Sequence, residues 1–362
     1  MPPSQPAMLT IRGVRSVAVD VPMQFALGTT LATLRSAPLL LVDVETEEGV
    51  TGRTYLFCYR PSGARAIAEL IADAIGIIKG QRAAPADVAA TLARRFGLFG
   101  NVGAARMALS AIDAALWDAV AHAHRVPLCV LLGSAPRAIP AYNSCGLGLM
   151  GEKHVVEEAQ KLLERGFRAV KLRLGYPTLA EDLAVLRALR KSIDRDVAVP
   201  VDFNQGLGLV EALARGRALQ EEGILWIEEP IRHDDYTGNA QLARDLHVPI
   251  QLGENFNGPQ GMAEALTAKA CDLVMPDLAR IGGVTGWMHA AGLAAAHGIP
   301  MSSHLFSEQS AHLLAATQTC HWLEYMDWAE PVLREPLQIK DGQAIIPDGA
   351  GSGIAWNDKA VA

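Results

Sequence analysis

The chain has 362 residues, half of them hydrophobic and a fifth charged, with a formal net charge of −7. That composition is ordinary for a globular protein in water. It offers no basic footprint for nucleic acid, no polybasic patch for a membrane surface and no apolar run near the roughly 20 residues that span a bilayer.

The opening Met-Pro-Pro-Ser-Gln-Pro lacks the basic stretch and apolar core of a signal peptide, so residues 1–7 read as a loose tail. Residues 8–60 alternate short polar and apolar runs, with a turn at Glu48-Gly49, and predict an antiparallel meander. Residues 62–125 are Ala-rich with helical periodicity. Strands followed by helices make an α+β unit, placed at 1–136. Beyond about residue 140 apolar strands alternate with amphipathic helices. Strand signals begin near residues 141, 168, 197, 224, 249, 271, 299 and 321, with helices between them, such as 179–193, 210–222 and 284–297. That rhythm predicts an α/β fold, a (β/α) barrel over 137–328. Residues 329–362 carry Gly/Pro-rich turns and short strands and are expected to pack back on the first unit. The five cysteines, odd in number and without paired spacing, suit reduced thiols in a cytoplasmic protein.

Three carboxylates are spaced 26 residues apart, each closing a short apolar run: Asp202, Glu228 and Glu254. A strand-loop-helix-loop unit takes about that many residues, so the three acids fall at the ends of successive parallel strands on one rim. Converging carboxylates repel unless a cation lies between them, and three hard oxygen donors suit Mg²⁺ or Mn²⁺. Glu229, next along the strand, should face away from Glu228 and is the poorer ligand. A lone strand-end acid is more often a helix cap; three in register favour a metal.

The same rim collects other charged groups. Lys171 and Arg173 end the second strand and share a face. Two cations aimed into a barrel are costly unless anions meet them. Asp277 ends the sixth strand and His304 the seventh, and a carboxylate against an imidazole orients the ring and raises its pKa. Glu324 ends the eighth. These groups can hold a carboxylate substrate while His304 exchanges its α-proton, with the metal and the cations stabilising the enediolate. Glu324, near the substrate oxygens, would then need its proton in order to donate a hydrogen bond.

These residues, with the segments Gly166-Phe-Arg-Ala-Val-Lys171, Trp226-Ile-Glu-Glu-Pro230, Arg280–Trp287 and Ile299-Pro-Met-Ser-Ser-His-Leu305, closely resemble the mandelate racemase family of the enolase superfamily. The resemblance implies a modified TIM barrel, (β/α)₇β, under an α+β capping domain, in a homo-oligomer that is often an octamer. It implies Asp202, Glu228 and Glu254 as Mg²⁺ ligands and His304 with Asp277 as the base for one substrate face. Lys171, Ser144 and Glu324 would bind the substrate carboxylate, and Asn204 its α-substituent. One position departs: the family's Lys-x-Lys, whose second lysine is the base for the other face, has Arg173 here. A guanidinium, protonated up to a pKa above about 12, is a poor base. The family's capping loop carries Leu27, Leu31 and Leu34, with Tyr59 beyond, and an apolar lid suits a hydrophobic substrate.

Three functions follow. The first is Mg²⁺-dependent racemisation or epimerisation of a 2-hydroxycarboxylate. The second is dehydration of an acid sugar or other β-hydroxy acid by His304 alone. The third is a metal- or ligand-binding homologue without turnover.

Overall fold

The structure is a computed structural model that describes residues 8–30 and 32–361. The tail expected over 1–7 and Leu31 of the expected lid lie outside the described residues.

An antiparallel sheet comes first, with strands Ile11–Gly28, Thr33–Thr46 and Thr51–Phe57 in that order. The last two are joined by a turn through Gly49, and the Thr46 side chain closes it by bonding both backbone groups of Val50. The middle strand is buried continuously over 37–44, which is why it reads as an unbroken apolar run. Helices Pro61–Ile78, Pro85–Arg95 and Gly103–His124 pack beside the sheet. The first two open on proline, whose missing N–H costs nothing in a first turn.

Eight parallel segments then close a barrel: Ile139–Asn143, Leu172–Arg173, Val201–Asp202, Ile227–Glu228, Ile250–Leu252, Leu273–Val274, a bridge at Met301, and Leu323–Tyr325. Pairing of Leu323–Tyr325 with the first strand completes the circle. One long helix follows each of the first seven: Glu152–Leu163, Leu179–Ser192, Leu209–Leu219, Tyr236–Asp245, Gly258–Thr267, Gly283–His297 and Ser307–Ala315. This is the (β/α)₇β order. Inside the barrel Tyr142 and Trp226 meet edge to face at 5.5 Å, with Ala169 and Leu273 beside them.

Buried hydrogen bonds join the two units. Asp113, on the helix Gly103–His124, accepts from the N–H and hydroxyl of Thr285 at 2.9 and 2.5 Å, at the start of the barrel helix Gly283–His297. Tyr55 donates to Glu308 at 2.7 Å. Past the barrel, Gln343–Ile345 pairs with the first barrel strand, and Trp356 donates to Asp43 of the sheet at 2.6 Å. The hairpin between the first two strands reaches the barrel mouth, where Leu149 N–H donates to the Gly28 carbonyl at 3.2 Å. Gly175, at φ 118°, leaves room for that tip: a Cβ there would lie 2.6 Å from the Thr30 methyl. Among the described residues all five cysteines are free, and no helix is long and apolar enough to cross a membrane.

Candidate active site

Strand register sets the height of each charged group. Arg173 is level with Asp202, and Asp202 with Glu228. Glu228 is level with Gln251, so Glu254 does not sit at a strand end as its 26-residue spacing suggested. The strand stops at Leu252, and Gly253 at φ 146° carries the chain onward against the backbone of Met275. Glu254 therefore reaches the rim from a loop. Glu229 departs from expectation too. Its φ of 35° breaks the pleat, so alternation does not apply, and Oε2 accepts from Asn255 Nδ2 at 2.7 Å. Burial and the charge on Glu254 push its carboxyl pKa well up, so it belongs to the acidic group.

Lys171 lies among the carboxylates. Its Nζ is 2.6 Å from Glu228, 2.7 Å from Glu324 and 3.4 Å from Asp202. Burial opposes its charge, but these acids outweigh burial and raise its pKa. Trp226 and Gln251 donate to the other oxygen of Glu228 at 3.3 and 3.4 Å. Burial still raises Glu228 to about 8 against the pull of Lys171, helped by Asp202, Glu324 and Glu254. Asp202 is raised for the same leading reason. Both Asp202 oxygens accept from Asn204, through its backbone N–H at 2.7 Å and its Nδ2 at 2.9 Å.

His304 and Asp277 come together as expected, with Nδ1 to Oδ2 at 2.7 Å. The other Asp277 oxygen caps the turn Leu278–Ile281 by accepting from Ala279 and Arg280 N–H. Cap and ring partner are thus one carboxylate. The His304 Nε2 is 3.3 Å from Glu254. Burial would lower the pKa of His304, but Glu324, Glu254 and Asp277 raise it well above the ordinary value. Burial likewise resists ionisation of Glu324, yet Lys171 and His304 hold its pKa down at about 2. Glu324 is thus paired with cations here. Its oxygens accept from Ser144 Oγ at 2.8 Å and Leu305 N–H at 2.9 Å.

Arg173 is buried and carries no ion pair among the described residues, although anions were expected to meet it. Instead Nη1 donates to the Ser144 and Gly146 carbonyls at 2.6 and 2.8 Å, and Nη2 to Ser144 Oγ at 2.8 Å. Its Nε has no partner. These acceptors pin the guanidinium to the first-strand loop.

Among the described residues no three His, Cys, Asp or Glu side chains already stand in a geometry that would hold a metal ion. Lys171 pairs instead with Asp202 and Glu228, and His304 with Glu254. The donor set nonetheless suits a divalent cation. Asp202, Glu228, Glu229, Glu254, Asp277 and Glu324 outnumber Lys171, Arg173, Arg280 and His304, and burial first, then neighbouring acids, raise the pKa values of Asp202, Glu228 and Glu229. Hard oxygens on adjacent segments are what Mg²⁺ takes.

A cavity of about 290 Å³ opens above this floor. Lys171, Arg173, Asp202, Asn204, Glu254, His304 and Glu324 reach it, and Leu27, Leu34 and Tyr59 of the expected lid line it. Sequence reasoning missed Phe57, Met326 and Trp328. Phe57 packs on Tyr59 and Trp328 with ring centres 4.4 and 4.6 Å apart. The eighth strand ends at Tyr325, so no strand period reaches Met326 and Trp328.

The profile described as Mandelate racemase / muconate lactonizing enzyme, N-terminal domain, matches residues 11–133, and that described as Enolase C-terminal domain-like matches 154–360. An enolase from alpha proteobacterium BAL199, solved with bound Mg, is 44% identical over 98% of both chains at a TM-score of 0.96. An enolase from Bradyrhizobium, solved with magnesium and mandelic acid, is 40% identical over 98% of both chains at a TM-score of 0.94. The L-talarate/galactarate dehydratase of Salmonella typhimurium is 34% identical over 263 residues, 72% of this chain and 66% of that protein. Fold, paired profiles and these likenesses agree: the chain belongs to the mandelate racemase/muconate lactonizing enzyme family of the enolase superfamily.

Proposed function

We propose that this enzyme abstracts the α-proton of a 2-hydroxycarboxylate with His304 as its single base, and that the reaction is completed by loss of a β-hydroxyl. The pinned Arg173 carries this reading. Three hydrogen bonds hold a group that cannot give up its proton where the family's second base would stand.

Asp202, Glu228 and Glu254 would hold Mg²⁺, or Mn²⁺ in its place. The ion supplies positive charge that offsets these acids and charge developing on the substrate carboxylate. Lys171 and Glu324 border the place where that carboxylate would sit, with Ser144 behind the cavity wall, bonded to Glu324, and Asn204 holds Asp202 beside it. Asp277 fixes the His304 ring so that Nε2 faces the cavity side. In its neutral form His304 takes the α-proton, and the electron pair left on carbon expels the β-hydroxyl. The same ring returns the proton to the departing oxygen, so water leaves and the enol becomes a 2-keto acid. Leu27, Leu34 and Tyr59 exclude water and favour an apolar substituent.

A second reading, racemisation, draws on the same apolar wall and on the mandelic acid of the Bradyrhizobium structure, since mandelate has no β-hydroxyl to lose. One experiment separates them. Hydroxy acids are incubated with enzyme and Mg²⁺ in D₂O, then assayed by proton NMR and by semicarbazide for 2-keto acids. Dehydration predicts keto acid without enantiomer interconversion. Interconversion without keto acid would establish racemisation, and no exchange with any acid would point to a homologue without turnover.

A further inference from the structure

Asn255 follows Glu254 directly, and its side-chain amide is shared three ways. Nδ2 donates to Glu229 Oε2 at 2.7 Å and to Glu254 Oε1 at 3.0 Å, while Oδ1 accepts from Nη1 of Arg280. Arginine has donors only. Its guanidinium can face only the carbonyl end of that amide, which leaves the NH₂ end for the two carboxylates. A residue able to accept as well as donate would let the amide turn over. A carbonyl oxygen would then face two carboxylates.

Arg280 is itself tied on two further sides. Its backbone N–H donates to Asp277 at 3.0 Å, the carboxylate that also orients His304. Its guanidinium carbon lies 5.0 Å from the centre of the Tyr59 ring, in cation–π range. Tyr59 lines the cavity from a left-handed backbone, φ 59°, which persists only where its surroundings hold it.

We propose that Arg280 is a positioning residue that couples the capping-domain wall to the acidic half of the site. It sets the orientation of Asn255, and through it the places of Glu254 and Glu229, while its outer face holds Tyr59. The proposal rests on the reading of Glu254 as a metal-binding carboxylate.

The test is Mn²⁺ binding to the full chain, followed by the EPR signal of free Mn²⁺, with steady-state kinetics and thermal unfolding measured alongside. Arg280→Gln should weaken Mn²⁺ binding about 10–100-fold, the usual loss when a group orienting a metal ligand is removed, and should raise KM. Arg280→Lys remains donor-only and should bind Mn²⁺ nearly as wild type does. Tyr59→Leu should raise KM and weaken Mn²⁺ binding by less than Arg280→Gln does; an unchanged Mn²⁺ affinity would overturn the coupling. A cooperatively folded Arg280→Gln that binds Mn²⁺ as tightly as wild type would overturn the proposal and leave the metal reading standing. So would an Arg280→Lys weakened as far as Arg280→Gln. Wild-type protein that binds no Mn²⁺ would overturn both.

Discussion

Arg173→Lys would place a titratable amine where the guanidinium now stands. Arg173 makes three short bonds from two nitrogens, at 2.6, 2.8 and 2.8 Å. A lysine has one nitrogen and can keep one or two of them. Losing one or two buried bonds from a charged donor costs about 1.5–6 kcal/mol at roughly 1.5–3 kcal/mol each. A fold stable by about 5–15 kcal/mol can survive that. Burial and the nearby charge of Lys171 both lower the pKa of an amine, so part of it is neutral and able to accept a proton. A positioned base contributes about 10²–10⁴-fold. That factor is the ceiling: exchange at the second substrate face should rise in Arg173→Lys, by less than the full amount, while exchange at the first face persists. The assay is proton NMR in D₂O on each pure enantiomer of an acid whose α-proton the wild type exchanges. Wild-type enzyme that exchanges both enantiomers at similar rates would refute the argument, because Arg173 would then not close the second face.

His304→Asn should cut α-proton exchange by about 10²–10⁴-fold with Mn²⁺ binding intact; exchange near the wild-type rate would remove His304 from the chemistry. Chelation should stop exchange, and Mg²⁺ at a hundred times its dissociation constant should stabilise the fold by about 2.7 kcal/mol, so an unchanged melting curve would argue against the three-carboxylate site. Burial raises the Asp113 carboxyl from 3.8 to about 7. An acid raised in the folded state keeps a proton that the unfolded chain has lost, so its stabilising share is full below pH 4 and lost by pH 7. At 1.36 kcal/mol per pH unit that is roughly 4 kcal/mol. Urea unfolding at pH 5 and 8 should therefore show a fall in wild type that Asp113→Asn lacks, and an equal fall in both would mean that the Thr285 bonds keep Asp113 ionised.

The parts legible in the sequence are those carried by strict periods. The eight strand signals, with Asp202, Glu228 and Glu324 on their strands, follow the βα repeat, while Asp277 and His304 lie three residues past theirs and are held level by a bridge of their own. Where a single backbone angle breaks the period, the reading failed. Gly253 moves Glu254 off its strand, and the positive φ of Glu229 turns an outward acid inward. The ion pair of Glu324 with Lys171 was hidden for another reason. It depends on a 2.7 Å approach by Lys171 across the barrel, which no local pattern encodes. Phe57 and Trp328 lie far apart in sequence, and their contact comes only from laying the first sheet over the eighth strand.

The loop that receives Arg173 bears on how the second face was closed. Its acceptors are the carbonyls of Ser144 and Gly146, and the backbone N–H of Arg173 donates to Leu147 at 3.0 Å. Gly146 and Leu147 both stand at positive φ, 56° and 45°. A left-handed leucine costs of order 1–3 kcal/mol and persists only where its surroundings over-determine it. Here the loop N–H of Leu147 is held by Glu158 at 2.5 Å, its carbonyl by the backbone N–H of Arg173, and the Ser144 and Gly146 carbonyls by Nη1 of the guanidinium. Loop and fork therefore fit each other, and a lone Lys-to-Arg exchange would not by itself account for that fit. It follows that Arg173→Lys should restore second-face exchange only in part. The amine would be tethered toward the same carbonyls, away from the substrate carbon, until the loop is changed with it.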